Sequence, residues 1–416
     1  MTNYLIKHLV ENSTNNDAYC LDLLKHELDW HIYDYGDHAN HGNRRGGRFR
    51  KEDLILLLKY LLHKNKFKQK RVKKILSFIP YSFDQTIRSI GYEPFSTNFN
   101  VRNDSSLIKS NFLIKSKFKL DKIIRLNNFN EIISNDLDFI SEFKIEYFKI
   151  IKKYDFTSLF VLTDQQFLSR ISIDVFKELN KKSFIFGHGL PGIYSRHLDN
   201  RSDYLMVWGK AIKENYIEAG FEREKLIVVG NPKYKNIPQK NVINWSTKNI
   251  VIFPESSLLW HQHTYNEPKL IDRSGMILYL YEVQKVLLKL EVQHVRYRLH
   301  PSINHKWISK FIDNNFYTLE SGSLENTIKH ASLVIGATST TFLECIQKGI
   351  NYIVYERRNT NSLVPPFNGS DPRVPFANNT DELEELIRNK EIVDFSVLND
   401  YMEPFNEELL KEVVNG

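Results

Sequence analysis

The segment Val334–Glu344, VIGATSTTFLE, sets four hydroxyl side chains in a row, Thr338 to Thr341, between two apolar runs. It reads as a strand, a small-residue turn and a helix that starts at Thr340 or Thr341. Backbone N–H groups there, with the Ser339, Thr340 and Thr341 hydroxyls, suit a phosphate or diphosphate. Glu344, about one turn into the helix, would face the same side and could accept hydrogen bonds from ribose hydroxyls. An ordinary capped helix with a surface glutamate explains the pattern as well. Further back, Val295–Leu299 (VRYRL) runs into His300-Pro301-Ser302. Alternation puts Arg296 and Arg298 on one face, and His300, fixed by Pro301, could donate to a phosphate and stabilise its charge on departure. The alternative is a turn with an incidental histidine. Gly187-His188-Gly189 follows the apolar run Ser183–Phe186. Glycines on both sides let a substrate approach the backbone, so His188 could act as general base on a hydroxyl near neutral pH. A tight turn with a structural histidine competes with that reading. Asp164 is the rival base, unless it merely caps the helix after it. His261-Gln262-His263 lacks a carboxylate or cysteine companion, so no metal is expected.

These residues need a scaffold that brings strand tips together. From Tyr154 onward short apolar runs alternate with helical stretches: Ser158–Leu162, Gln165–Leu179, Ser183–Phe186, Leu205–Trp208, Ala211–Ala219 and Leu226–Val229. Each run ends in a polar or glycine-containing turn, the grammar of a parallel sheet. Polar Ile237–Lys248 reads as a linker. A second alternation follows, with strands at Asn249–Phe253, Val295–Leu299, Ser332–Ile335 and Asn351–Tyr355. Its helices are Met276–Leu290, Ile308–Asn314, Leu324–His330 and Phe342–Lys348, the last capped by Gly349. The expected fold is α/β: two Rossmann-like, doubly wound domains facing a cleft, with ligands beyond the carboxyl ends of the strands. The boundaries are residues 1–240, 248–395 and a carboxyl-terminal helical segment, 396–416, that could return to the first domain. Residues 1–150 are the least legible; Leu54–Leu62 and Phe139–Ile151 read as helices and Asp37–Arg50 as a polar loop.

A chain of 416 residues is too long for one ordinary core. With 42% hydrophobic and 26% charged residues its composition is that of a soluble globular protein. Two cysteines, Cys20 and Cys345, make no disulfide framework and fit a reducing compartment, and Met1–Asn16 has no signal-peptide pattern. The charge of +7 is concentrated in Lys64–Lys74, KNKFKQKRVKK, directly after the apolar LILLLKYLL. Such a pair could hold the chain against anionic lipid or an anionic polymer, although a solvated helix face is the commoner use of a charge run. No nucleic-acid-binding signature accompanies the charge.

Taken in order, Phe186–Gly189, Val207-Trp208-Gly209, Val229-Gly230-Asn231-Pro232, Arg298-Leu299-His300-Pro301 and Ser339–Glu344 form a recognisable series. It resembles the CDP-glycerol glycerophosphotransferase (teichoic-acid polymerase-like) group and the related GT-B capsule and lipopolysaccharide transferases, including bacterial sialyl- and Kdo-transferases. The likeness covers about residues 155–360. It implies a cytoplasmic, metal-independent glycosyltransferase with no cofactor beyond its nucleotide-activated donor of CMP, CDP or UDP type. The acceptor would be a glycan or lipid-linked glycan. His300 and Pro301, Ser339, Thr340 and Thr341 would contact the donor phosphate, with Arg298 beside them. Glu344 would lie near the ribose, and His188, flanked by Gly187 and Gly189 on the acceptor side, would be the base. The chain departs from the teichoic-acid pattern by having Ala337-Thr338-Ser339-Thr340 where Asp-Tyr-Ser-Ser is usual. A sugar-nucleotide 2-epimerase-like isomerase shares the fold, but no apolar strand and small-residue loop are found at Met1–Asp17. A non-catalytic glycan-binding adaptor is the third alternative.

Overall fold

Seven parallel strands make the first sheet: β1 (Lys74–Ser77), β2 (Glu93–Ser96), β3 (Ser106–Leu107), β4 (Ser158–Val161), β5 (Lys182–Phe186), β6 (Tyr204–Val207) and β7 (Leu226–Val228). In space they run β3-β2-β1-β4-β5-β6-β7. Leu76 pairs with Leu159, Leu159 with Ser183 and Ile185 with Leu205. Helices α1 (Lys51–Leu62), α2 (Ser82–Ser89), α3 (Asn111–Ile124), α4 (Phe129–Tyr154), α5 (Phe167–Glu178) and α6 (Lys210–Glu218) accompany it. The computed structural model describes residues 18–24, 27, 51–63, 72–79, 82–97, 99, 105–124, 129–187, 189–238, 240–254, 274–299, 308–358 and 360–416.

The second sheet has six parallel strands: β8 (Ile250–Phe253), β9 (Val295–Tyr297), β10 (Tyr317–Leu319), β11 (Leu333–Gly336), β12 (Asn351–Tyr355) and β13 (Phe376–Ala377). Their order, β10-β9-β8-β11-β12-β13, repeats that of the first six strands of the first sheet. Both follow the dinucleotide-fold order, with a topological switch point between β1 and β4 and another between β8 and β11. Helices α7 (Ser274–Lys289), α8 (Leu324–Lys329), α9 (Thr341–Gln347) and α10 (Thr380–Arg388) go with it, and α11 (Ser396–Tyr401) and α12 (Glu407–Asn415) end the chain. The two-Rossmann α/β expectation therefore holds. One expected helix does not: Ile308 is helical, but residues 309–312 form a turn and bend leading to β10.

Strand alternation divides the core into layers. Leu159 and Val161 belong to a cluster that continues into Val251, Val334 and Val354 of the second sheet. Phe160, Phe184 and Phe186 point to the opposite face, against Phe83 and Ile87 of α2 and Leu410 and Val414 of α12. On the far face of the second sheet Ile252, Ile335 and Ile353 pack on Tyr279, Leu280 and Val283 of α7. The final segment crosses the tips of the first sheet: Glu403 N donates to Trp208 O, Phe405 N to Tyr234 O and Asn406 N to Val229 O.

Candidate functional site at the facing strand tips

Both switch points end in the residues that the sequence singles out. β4 leads into Thr163-Asp164, and β11 into Ala337-Thr338-Ser339-Thr340. The two carboxyl edges meet, because Leu190 N, just beyond β5, donates to Thr340 Oγ1 at 3.1 Å. Gly189 makes that approach possible. Its φ is +92°, and a Cβ there would stand 2.4 Å from Thr340 Oγ1. Gly187 is fixed beside it, its N–H on Met206 O and its carbonyl accepting from Trp208 Nε1 at 2.9 Å.

At the second tip the hydroxyls are ordered rather than loose. Thr341 N donates to Ser339 Oγ, which bonds in turn to Thr341 Oγ1 at 3.1 Å. Thr340 is the N-cap of α9, yet its hydroxyl serves Leu190 instead of the helix. Glu344 lies in the first turn of α9, and its carboxylate reaches across to the first domain, 3.1 Å from Lys233 Nζ. Tyr234 is next to it. Its hydroxyl is held well above the usual tyrosine range, first by burial and then by the negative charge of Glu344.

Arg358 is a site residue that the sequence reading missed. Glu356, fully buried after β12, accepts from Arg358 Nε at 2.8 Å and from Nη2 at 2.6 Å. The same Nη2 donates to Thr338 Oγ1 at 2.7 Å. Asn378 Nδ2 clamps the segment through the carbonyls of Glu356 and Arg358. A guanidinium is thereby locked against the Thr338–Thr341 turn. The one signal in the sequence was the charged cluster Glu356-Arg357-Arg358 at the end of the apolar run Asn351–Tyr355.

The remaining candidates fall elsewhere or outside the described residues. His188, His300 and Pro301 lie outside them, as do His261, His263 and the loop 37–50. Arg296 and Arg298 do share a face, both turned to α8: Arg296 donates to His330 O, and Arg298 to Gly322 O at 2.5 Å and Thr327 Oγ1 at 3.4 Å. Asp164 requires a correction. It is completely buried, with Oδ1 accepting from Gln165 Nε2 at 2.7 Å and Oδ2 from Arg201 N at 3.1 Å. Arg201 Nη1 adds a 3.2 Å ion pair. A carboxylate so enclosed and neutralised is not placed to take a proton from an acceptor hydroxyl. Nor does it cap α5, whose Phe167 N donates to Glu27 Oε1. Asp164 instead ties the loop after β5 to the tip of β4. Asp199, at φ +53°, joins it, accepting from Asp164 N and Thr163 Oγ1. Burial, then the charge of Asp164, raises the Asp199 carboxyl to about 6.

Among the described residues no three His, Cys, Asp or Glu side chains gather as a metal ion would need.

No known family model matches the sequence, and no curated protein does. Solved structures are similar in outline. The UDP-GlcNAc 2-epimerase of Methanocaldococcus jannaschii, in complex with UDP-GlcNAc and UDP, has a TM-score of 0.47 at 15% identity, covering 83% of this chain and 99% of that one. The wall teichoic acid polymerase TagF scores 0.45 at 10% identity, covering 88% and 98%. The lipopolysaccharide outer core galactosyltransferase WaaB, in its apo form, scores 0.43 at 11% identity, covering 82% and 97%. Likenesses this distant carry no argument, and the architecture rests on the strand orders described above.

Proposed function

We propose that this chain is a cytoplasmic glycosyltransferase that moves a sugar, or an alditol phosphate, from a pyrimidine-nucleotide donor to a hydroxyl of a bacterial surface polysaccharide. The observation that carries the reading is the meeting of two Rossmann-type switch points, with a hydroxyl-lined turn and the locked Arg358 on one side. Such a turn and guanidinium are chemically suited to a nucleotide phosphate. The glycine-flanked loop opposite would admit the acceptor.

In this reading His188 takes the proton from the acceptor hydroxyl, whose oxygen bonds to the sugar carbon (or, for an alditol phosphate, to phosphorus) as the bond to the nucleotide phosphate breaks. The charge left on the nucleotide is met by His300, which Pro301 orients, by the Ser339, Thr340 and Thr341 turn, and by Arg358. Arg298 supports the tip of β9 from behind. Glu344 receives the ribose hydroxyls once Lys233 gives way. In this reading no metal takes part, and the phosphate is met by hydrogen-bond donors from these residues.

A panel of CMP, CDP, UDP, GDP and ADP in a thermal-shift assay tests the reading, with His300→Ala and Arg358→Lys beside the unmodified chain. A nucleotide at a hundred times its Kd adds about 2.7 kcal/mol of stability. One pyrimidine nucleotide should raise the melting temperature, and both variants should reduce the rise. If no nucleotide stabilises the folded chain, the transferase reading fails and a glycan-binding adaptor takes its place. A chain that interconverts two epimeric nucleotide sugars without any acceptor, with no free sugar released, is an isomerase. The strand that opens the first sheet's switch point is Lys74–Ser77, so Met1–Asp17 is not where an isomerase comparison has to be made.

A further inference from the structure

Of thirteen large hydrophobic side chains that stand exposed among the described residues, five lie in the nine residues Leu54–Leu62 of α1. Leu54 is 48% exposed, Ile55 42%, Leu58 46%, Leu61 60% and Leu62 75%. At the helical spacing these five occupy one arc of about 120°. The other side of the helix is anchored, Tyr60 and Leu57 packing with Leu107 of β3 and Ile114 of α3. The helix is thus fixed to the first domain by one side and turns a continuous aliphatic face outward. A water-exposed surface seldom keeps such a stripe without a use for it.

Charge identifies the occupant. Lys59 is exposed at the edge of the arc. The eight residues that follow the helix and His63, Lys64–Arg71, hold five cations and no acid. An aliphatic face beside a cationic run complements a surface that is apolar within and negative at its rim. At 12 residues α1 can lie on a bilayer but not span it, and no described helix is long and apolar enough to cross one.

We propose that the Leu54–Leu62 face of α1 is the surface by which this chain lies on an anionic lipid bilayer. The helix inserts Leu54, Leu58, Leu61 and their neighbours among the acyl chains near the headgroups, and Lys59 at the edge of the face meets the lipid phosphates. The inference is independent of the transferase reading, because it requires no nucleotide and no catalysis.

Flotation of the full chain with vesicles tests it, using phosphatidylcholine alone or phosphatidylcholine with about one third phosphatidylglycerol. The unmodified chain should float with the anionic vesicles and far less with the neutral ones. Leu58→Asp with Leu61→Asp should cost roughly tenfold or more in vesicle affinity, at an unchanged melting temperature, since both side chains are exposed. If that double variant melts without cooperativity, Leu62→Asp at the helix end carries the test, with a smaller loss expected and no loss overturning the proposal. An unmodified chain that floats with neither vesicle overturns it, and so does a double variant that binds like the unmodified chain. Loss of a dimer in the double variant, with vesicle binding retained, would assign the face to a second copy instead.

Discussion

Asp199 is held in the left-handed region beside a second buried carboxylate, with Arg201 committed to Asp164. Its carboxyl is raised to about 6, above the ordinary value of about 3.9 in an unfolded chain. Between these values the folded protein holds a proton that the unfolded chain has released. Stability therefore falls as pH rises through this window and stays reduced above it. Asparagine tolerates the same backbone conformation, and its Oδ1 can accept the two bonds that Asp199 accepts. Asp199→Asn should raise the melting temperature at about pH 7.5, and the gain should shrink towards zero as pH approaches about 4. A gain that does not depend on pH would mean that backbone preference, not charge, sets the cost. Residue by residue, the site was unevenly legible. Ser339, Thr340 and Gly189 stand out in sequence because hydroxyls and glycines cluster at strand ends, and the structure brings them to one place. Asp164 misled because a carboxylate at a strand tip looks the same in sequence whether it meets substrate or, as here, an arginine 37 positions later. Arg358 was overlooked because its meaning depends on Thr338, 20 positions earlier, which only the sheet places beside it.

At the scale of elements, the strands from β4 onward were readable because their apolar runs are unbroken and glycine or polar turns punctuate them. β1 to β3 were not. β2 reads Glu-Pro-Phe-Ser, yet all four residues are buried, and Glu93 is satisfied by Ser106 Oγ at 2.9 Å and Arg88 at 3.5 Å. A polar strand supported from outside its own sequence leaves no periodic signature. Lys74 similarly closes the basic run while opening β1. The carboxyl-terminal segment depends on glycine at its landing place. Gly209 has an extended backbone, so alanine would meet no conformational penalty, but its Cβ would stand 2.3 Å from the Tyr401 carbonyl carbon. That carbonyl is backbone held in place, as α11 packs on α6 there. Gly209→Ala should therefore destabilise the protein by about 1–3 kcal/mol through overpacking. Chemical denaturation would measure it, and equal stability of variant and parent would show that the tail is free to shift.

For the molecule as a whole, the two sheets share one hydrophobic cluster, while polar contacts at its rim decide what the junction can bind. Glu344 is the residue in contention. It belongs to the second domain, is only 13% exposed, and is paired with Lys233, a side chain 57% exposed on the first. An ion pair with so exposed a partner is worth no more than about 1 kcal/mol. Ribose hydroxyls arriving at Glu344 would have to displace Lys233, and that small energy would be subtracted from nucleotide binding. Lys233→Ala removes the competitor and should tighten nucleotide binding by up to about fivefold. Glu344→Gln should weaken it about tenfold or more, as loss of a hydrogen bond to a charged group does. The two effects should not add, because Lys233 has nothing to compete for once the carboxylate is gone. Titration calorimetry on the two single variants and the double variant decides the matter. If Lys233→Ala leaves the affinity unchanged, Glu344 is a strut between domains rather than a ligand of the ribose, and the ribose must be sought at another residue of the same cleft.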